Sequence, residues 1–243
     1  MRATSSAAEL ASISVIIPTY KEADQIEQLV HYLRAEAGPE PALEVIVADG
    51  QSPDDTVARA QRAGARALIC PQKGRGAQMN FGAAQATGDI LYFLHADTYP
   101  PPNFAQEIRG AVAQGAGSGC FRLAFDDPHW FLRANAWFTR FNVEPVRFGD
   151  QSLFVRRSLF EQAQGYRTDL LVFEDQEITR RLKQLAPFQA LRGPAVTSAR
   201  KYRENGVFRL QGIFTLITVL YQLGVSQPTL VRVYRKLIRQ DKV

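Results

Sequence analysis

Short apolar runs rich in β-branched residues recur along this chain, and each ends in a polar or acidic cluster. Residues 13–17 (ISVII), 43–48 (LEVIVA), 65–69 (ARALI) and 90–94 (ILYFL) have the length and composition of buried strands. Between them the apolar positions move to helical spacing. Ile26, Leu29, Val30 and Leu33 mark a helix over 21–37, which Gly38 and Pro39 stop. Further helices are expected over 54–63, with Ser52 as its cap and Gly64 as its stop, and over 76–86. Strand and helix in regular alternation require parallel pairing through crossover helices. The first half therefore reads as a nucleotide-binding α/β unit.

Past residue 98 the alternation degrades. Helices are expected over 103–113, 130–141 and 174–185, and strands over 119–125 and 152–155. No Pro/Gly/Ser-rich linker separates the halves. The expected organisation is a tail (1–12), one domain (13–205, with a nucleotide half to 98 and an acceptor half beyond) and a helical extension (206–243). Residues 210–231 carry no charge, but Gln211, Gln222, Gln227 and Pro228 interrupt them, leaving less than the roughly 20 apolar residues of a membrane span. Two amphipathic helices, 207–223 and 227–239, are expected instead, the second with Arg232, Arg235, Lys236 and Arg239 on its polar positions. They would pack on the domain or lie on a membrane surface.

Composition narrows the class. With 243 residues, 46% apolar and 22% charged, the chain can bury an ordinary core, which excludes a disordered class. No repeat of solenoid period is present. A net charge of +5 suits phosphate-bearing ligands or an anionic membrane surface, and no nucleic-acid partner is expected. Cys70 and Cys120 match no metal or redox spacing, and Cys70 reads as a buried free thiol. The first residues hold no apolar core of signal-peptide length. The expected location is the cytoplasm, with a peripheral position at the inner face of the membrane as its variant.

Candidate chemistry sits where the apolar runs end: SVIIPTYKE (14–22), EVIVADGQSPDDT (44–56), KGRGAQMNFG (73–82), GDILYFLHADT (88–98) and FEDQEITRRL (173–182). Buried parallel strands that stop in carboxylates deliver those acids to one sheet edge, where ligands of open α/β sheets bind. Two cations and two glycines before a helix, at Lys73, Gly74, Arg75 and Gly76, suit phosphate. The order and wording of these segments resemble the family 2 inverting glycosyltransferases, over about residues 13–203 and most specifically in the first hundred. The resemblance implies a GT-A fold, a mixed and mainly parallel sheet flanked by helices, and a nucleotide diphosphate sugar as donor. On it, Pro18, Thr19, Tyr20 and Glu22 contact base and ribose, with Lys21 where the family has Asn. Asp49 accepts a hydrogen bond from the base. Gln51 stands as an insertion, so Asp54 and Thr56 match the later positions of that motif. Lys73, Arg75 and Asn80 lie by the donor. Asp97 is the metal-binding acid for Mg²⁺ or Mn²⁺, and His95 replaces the family's first Asp as a second ligand, a ribose contact or a strand-end residue.

The same resemblance makes Asp175 the base that deprotonates the acceptor hydroxyl, supported by Glu174. Acids opening a helix also stabilise its dipole, and the Glu177/Arg181 spacing is an ordinary helical ion pair. Asp150 and Gln151 resemble acceptor-side residues, with turn capping as the alternative. Arg200, Lys201 and Arg203 stand where a loop would close over the diphosphate. The Gln-x-x-Arg-Trp motif of processive synthases is absent, so single-sugar transfer is expected. The acceptor is a hydroxyl of unspecified origin, a lipid or a small metabolite among the options. Two rivals remain. A sugar-1-phosphate nucleotidyltransferase would need a Gly-rich loop directly after the first strand, where PTYKE stands. A protein that binds nucleotide sugars or a membrane surface without turnover would be unmoved by loss of Asp175.

Overall fold

A computed structural model describes residues 11–38, 43–140 and 152–239. Strand β1 (Ile13–Thr19) is buried at all seven positions, as its unbroken apolar run requires. It pairs in parallel with β2 (Glu44–Asp49) on one side and β4 (Ile90–Phe93) on the other, and β2 pairs in parallel with β3 (Arg66–Ile69). The second half extends the same sheet. Strand β7 (Leu153–Arg156) runs antiparallel to both β4 and β6 (Ser118–Phe125), β8 (Phe188–Thr197) runs parallel to β6, and β5 (Thr98–Tyr99) closes the edge. The eight-stranded order is β3-β2-β1-β4-β7-β6-β8-β5.

Alternate residues of each central strand point to opposite faces. Val15, Ile17, Val47 and Tyr92 join one core with Ile26, Leu29 and Leu33 of α1 (Ala23–Glu36) and with Phe104 and Ile108 of α4 (Phe104–Ala113). Ile16, Ile46 and Phe93 join the other with Met79 of α3 (Arg75–Gln85), Phe160 of α6 (Arg157–Gln162) and Ile178 and Leu182 of α7 (Glu174–Leu185). Each fully buried Leu or Ile here contributes roughly 1.5–3 kcal/mol. The approach is close at Gly82 of α3, where an added Cβ would stand 2.6 Å from Ile16. Helix α2 (Thr56–Arg62) completes the crossovers.

A third cluster lies beyond the sheet. Leu132 of α5 (Trp130–Phe138) packs with Tyr202 of α8 (Arg200–Asn205), with Leu210, Ile213 and Ile217 of α9 (Val207–Gln222) and with Leu230 of α10 (Gln227–Leu237). Helix α10 is amphipathic as expected, but α9 is not. Its outward side is mixed, with the apolar Phe208, Leu216 and Val219 among the exposed Arg209, Thr215 and Gln222. Among the described residues no helix is long and apolar enough to cross a membrane. Cys70 and Cys120 are both free and buried.

Candidate functional site

Strands β1 and β2 end level, with Thr19 opposite Asp49. Asp49 is wholly buried and accepts hydrogen bonds from Thr19 Oγ1 (2.9 Å), Ser52 Oγ (2.6 Å) and the Ser52 amide (2.7 Å). Ser52 thus ties the turn together and does not cap α2, whose N-cap is Asp55 without a side-chain bond. The Lys21 amide donates to Ser52 Oγ and the Glu22 amide to Thr56 Oγ1, both at 2.9 Å, which stitches the PTYKE turn to the Asp49 turn. Lys21 and Gln51 each take a left-handed backbone to make these turns (φ 55° and 67°). Tyr20 lies beneath two cations, Lys21 Nζ at 5.6 Å and Lys73 Nζ at 5.9 Å from its ring centre. Three motifs therefore meet around Tyr20, with Pro18 buried below and Tyr20 and Glu22 half-buried at the rim.

Gln78 is a supporting residue that sequence reasoning missed. Its buried amide donates to the carbonyls of Thr19 (2.7 Å) and Ala48 (2.8 Å), bracing the ends of β1 and β2. A lone amide on a helix gives no sequence signal of this role.

The second cluster forms where β4 meets the start of α7. His95 and Asp97 follow β4 and are half-buried, and the Asp97 carbonyl accepts the Ser198 amide at 3.1 Å. His95 Nε2 stands 4.0 Å from Asp175 Oδ2. Glu174, only 1% exposed, meets Arg75 Nε at 2.8 Å. The contact is an ion pair and not an aligned hydrogen bond, since among the described residues neither Glu174 oxygen accepts one. Burial pushes the Glu174 carboxyl above the ordinary range, Arg75 pulls it back and the Asp175 charge adds to the rise. The Tyr166 hydroxyl, buried beside them, is pushed well up by burial and by Asp175 and Glu174.

The backbone that presents these acids is under strain. Phe173, immediately before α7, is left-handed (φ 67°), a conformation that bulky side chains rarely take. Its ring stacks on Tyr221 of α9 with centroids 4.5 Å apart. Gln227, the first residue of α10, accepts the amides of Leu171 (3.0 Å) and Val172 (3.1 Å). The C-terminal helices thus grip the segment that aims Glu174 and Asp175. Glu177 and Arg181 form the expected helical pair, at 2.6 Å and 2.8 Å.

Other candidates fall differently. Asn80 bonds the Tyr166 backbone through both amide atoms, at 2.8 Å each, so its polar groups support the site from below. Arg200, Lys201 and Arg203 lie on helix α8, not on a loop. Arg203 pairs with Asp126 (3.1 Å) and Asp127 (3.4 Å), and Arg200 with Glu204 (3.9 Å). Asp150 and Gln151 lie outside the described residues. Among the described residues no three His, Cys, Asp or Glu side chains converge as a ready metal cage. Asp97 and His95 at one strand end are a sparse oxygen and nitrogen set. Such a set fits a cation whose remaining ligands are water and substrate phosphate, as Mg²⁺ sites commonly are.

A parallel-strand edge carrying a braced acid, cations and a second pair of acids is the kind of edge at which open α/β sheets bind ligands. The sequence profile described as Glycosyl transferase family 2 matches residues 14–183, and the chain belongs to that family. An uncharacterised glycosyltransferase of Mycobacterium tuberculosis is 32% identical over 182 residues, covering 70% of this chain and 68% of its own length. The mannosyltransferase PcManGT from Pyrobaculum calidifontis, solved in complex with GDP-Man and Mn²⁺, superposes with a TM-score of 0.68 at 20% identity. That match covers 93% of this chain and 70% of the other. Glucosyl-3-phosphoglycerate synthase from Mycobacterium tuberculosis, solved with Mn²⁺, UDP and glucosyl-3-phosphoglycerate, gives a TM-score of 0.60 at 21% identity, over 91% and 83%. The fold is GT-A, and the chain is a glycosyltransferase by family.

Proposed function

We propose that the protein transfers one sugar from a nucleotide diphosphate donor to an acceptor hydroxyl, with inversion and without processive elongation. The transferase unit would span 13–205, with 206–243 as its helical extension. The observation that carries the reading is the meeting of Asp175 with His95 at 4.0 Å, beside the Arg75–Glu174 pair, at the edge where β1, β2 and β4 end.

On this reading Asp175, partly open to solvent, takes the acceptor proton as the hydroxyl attacks the anomeric carbon in line. The carbon–oxygen bond to the diphosphate breaks as the new glycosidic bond forms, and the nucleoside diphosphate leaves. Glu174, buried and paired, fixes the start of α7 and so the position of Asp175. Pro18, Thr19, Tyr20, Glu22 and Asp49 form the nucleoside side, where Asp49 serves by shaping the turn as well as by any direct contact. Lys73, exposed above Tyr20, is a cation at the donor rim beside Lys21. Asp97, with His95 beside it, would hold Mn²⁺ or Mg²⁺, as relatives solved with Mn²⁺ suggest. Such an ion, when bound, withdraws charge from the diphosphate leaving group.

The test is Asp175→Asn, assayed for donor affinity and for sugar release from a panel of UDP and GDP sugars. Turnover should fall by about 10²–10⁴-fold while donor affinity stays within a few-fold, because the base acts on the acceptor's proton. Unchanged turnover would remove Asp175 from the mechanism.

A further inference from the structure

Helix α9 carries large apolar side chains on its outward side as well as on its buried one. Leu210, Ile213 and Ile217 face the third core, while Phe208, Leu216, Val219 and, just past its end, Leu223 form an outward stripe at spacings of three, four and eight residues. Phe208 is 59% exposed and Leu223 75%. A helix whose exposed side carries large apolar residues in a stripe, here flanked by the exposed Arg209, Thr215 and Gln222, ordinarily meets a partner or lipid there. This one is buried on one side only, and at 16 residues it is too short to cross a bilayer, which takes about 20.

The stripe continues onto α5. Trp130, 67% exposed, stands 6.1 Å from the Phe208 ring, and Phe131 stands 5.2 Å from it. Ten large apolar side chains are exposed among the described residues, and seven of them lie on α5, on α9 or at the end of α9. The apolar surface is therefore concentrated on one small helical layer.

Charge is segregated in the same place. Residues 205–239 carry five cations and no acid. Arg232, Arg235 and Lys236 are exposed, and their spacing of three and four puts them on one side of α10, with the exposed Arg239 just past its end. Helix α10 is fastened to α9 by Arg209, whose guanidinium donates to the Leu237 carbonyl at 2.7 Å. An aromatic and aliphatic stripe beside a purely cationic one is the surface that an anionic lipid headgroup layer accommodates. The aliphatic and aromatic groups enter the acyl boundary and the cations stay with the phosphates. A protein partner could cover the apolar stripe, but it would not by itself account for an adjoining helix without acids, the nearby Asp126, Asp127 and Glu204 being paired with Arg203 and Arg200.

We infer that the outward side of α9, with Trp130 and the cationic stripe of α10, docks the protein onto an anionic membrane surface. The helices would lie in the plane of the interface and would not cross it. This holds whatever sugar or acceptor the site takes, because none of the docking residues is among those proposed to hold the donor. It does bear on the site, since Tyr221 and Gln227 of the same layer hold the segment before Asp175.

The test is flotation of the full chain with vesicles of phosphatidylcholine alone and of phosphatidylcholine with phosphatidylglycerol, without donor. The wild type should float with the anionic vesicles and not with the neutral ones, and high salt should weaken that binding. Leu216→Gln with Val219→Gln, both outward, should cut binding about tenfold with an unchanged melting temperature. Arg235→Gln with Lys236→Gln should cut it about thirtyfold, since each cation near such a surface contributes about fivefold. Failure of the wild type to float with anionic vesicles overturns the inference. So does a wild type that is dimeric in light scattering and that the Leu216/Val219 variant renders monomeric without loss of vesicle binding. The nucleotide-sugar reading survives either result, because donor binding is measured separately.

Discussion

Glu174 is the residue whose surroundings are least suited to its charge. It is almost fully buried, lies next to Asp175 and has Arg75 as its counterion. Removing Arg75 strands a buried carboxylate. Arg75→Ala should cost about 1–3 kcal/mol in urea unfolding, and Glu174→Gln in that background should recover most of it. A non-additive cycle of this kind is the expected result, and strict additivity would show that the pair does not interact. The pH sign follows from the raised Glu174 pKa. The folded state favours the protonated acid, so any stability linked to this group is present at low pH and is lost as pH rises through the raised folded pKa. Glu174→Gln should therefore compare best with wild type at the alkaline end. Glu174 and Asp175 are legible in the sequence, because acids that follow an apolar residue and open a helix stand out. The Arg75 partnership is not, since ion pairs between distant segments have no local spacing. Asn80 shows the same gap from the other side. Its place in a motif suggests the donor, while its amide bonds go to Tyr166.

At the scale of elements, the position of Asp175 depends on helices that the family profile does not reach. The profile match ends at residue 183, and Tyr221 and Gln227 lie beyond it. Tyr221→Ala removes the ring on which left-handed Phe173 stacks. It should lower kcat by about tenfold with donor affinity unchanged, since small misplacements of a reacting group are costly in rate. An equal loss in donor affinity would mean that Tyr221 supports the whole site and not Asp175 alone. The first four strands and their crossover helices follow from periodicity, and the observed bounds differ from expectation by a few residues. Strand β8 does not follow from it. Arg192, Gly193 and Pro194 break its pattern, and the register against β6 jumps from Phe121–Leu191 to Arg122–Pro194, passing over Arg192 and Gly193. Helices α6 and α8, six residues each, are too short to show a period. Helix α9 is expected to be amphipathic, and its exposed side is mixed, with Phe208, Leu216 and Val219 beside Arg209, Thr215 and Gln222.

For the whole molecule, the parallel order β3-β2-β1-β4 is what right-handed crossovers from successive strands produce. The insertion of β7 between β4 and β6 has no sequence signature, because antiparallel partners brought in from afar leave none. Acid stability is also a property of the assembled sheet. Hydrogen bonds from the Ser12 hydroxyl and amide hold the Asp89 carboxyl below its usual range and tie the start of β4 to the residue before β1. A lowered pKa contributes stability above the unfolded value, near 4, and that contribution fades as pH falls through the folded one. Asp89→Asn should lower the urea midpoint near neutrality and flatten its fall on acidification, and an unchanged acid limb would place that linkage elsewhere.

The most direct test of the central reading is a thermal-shift panel of UDP- and GDP-linked sugars, with and without Mn²⁺, on the wild type and on Asp97→Ala. A ligand that binds only the native state stabilises it by mass action, about 2.7 kcal/mol at a hundredfold excess over Kd. One nucleotide class should raise the melting temperature in a Mn²⁺-dependent way, and Asp97→Ala should lose the Mn²⁺ dependence. No shift with any nucleotide sugar, in either metal condition, would contradict the assignment of this edge as a donor site.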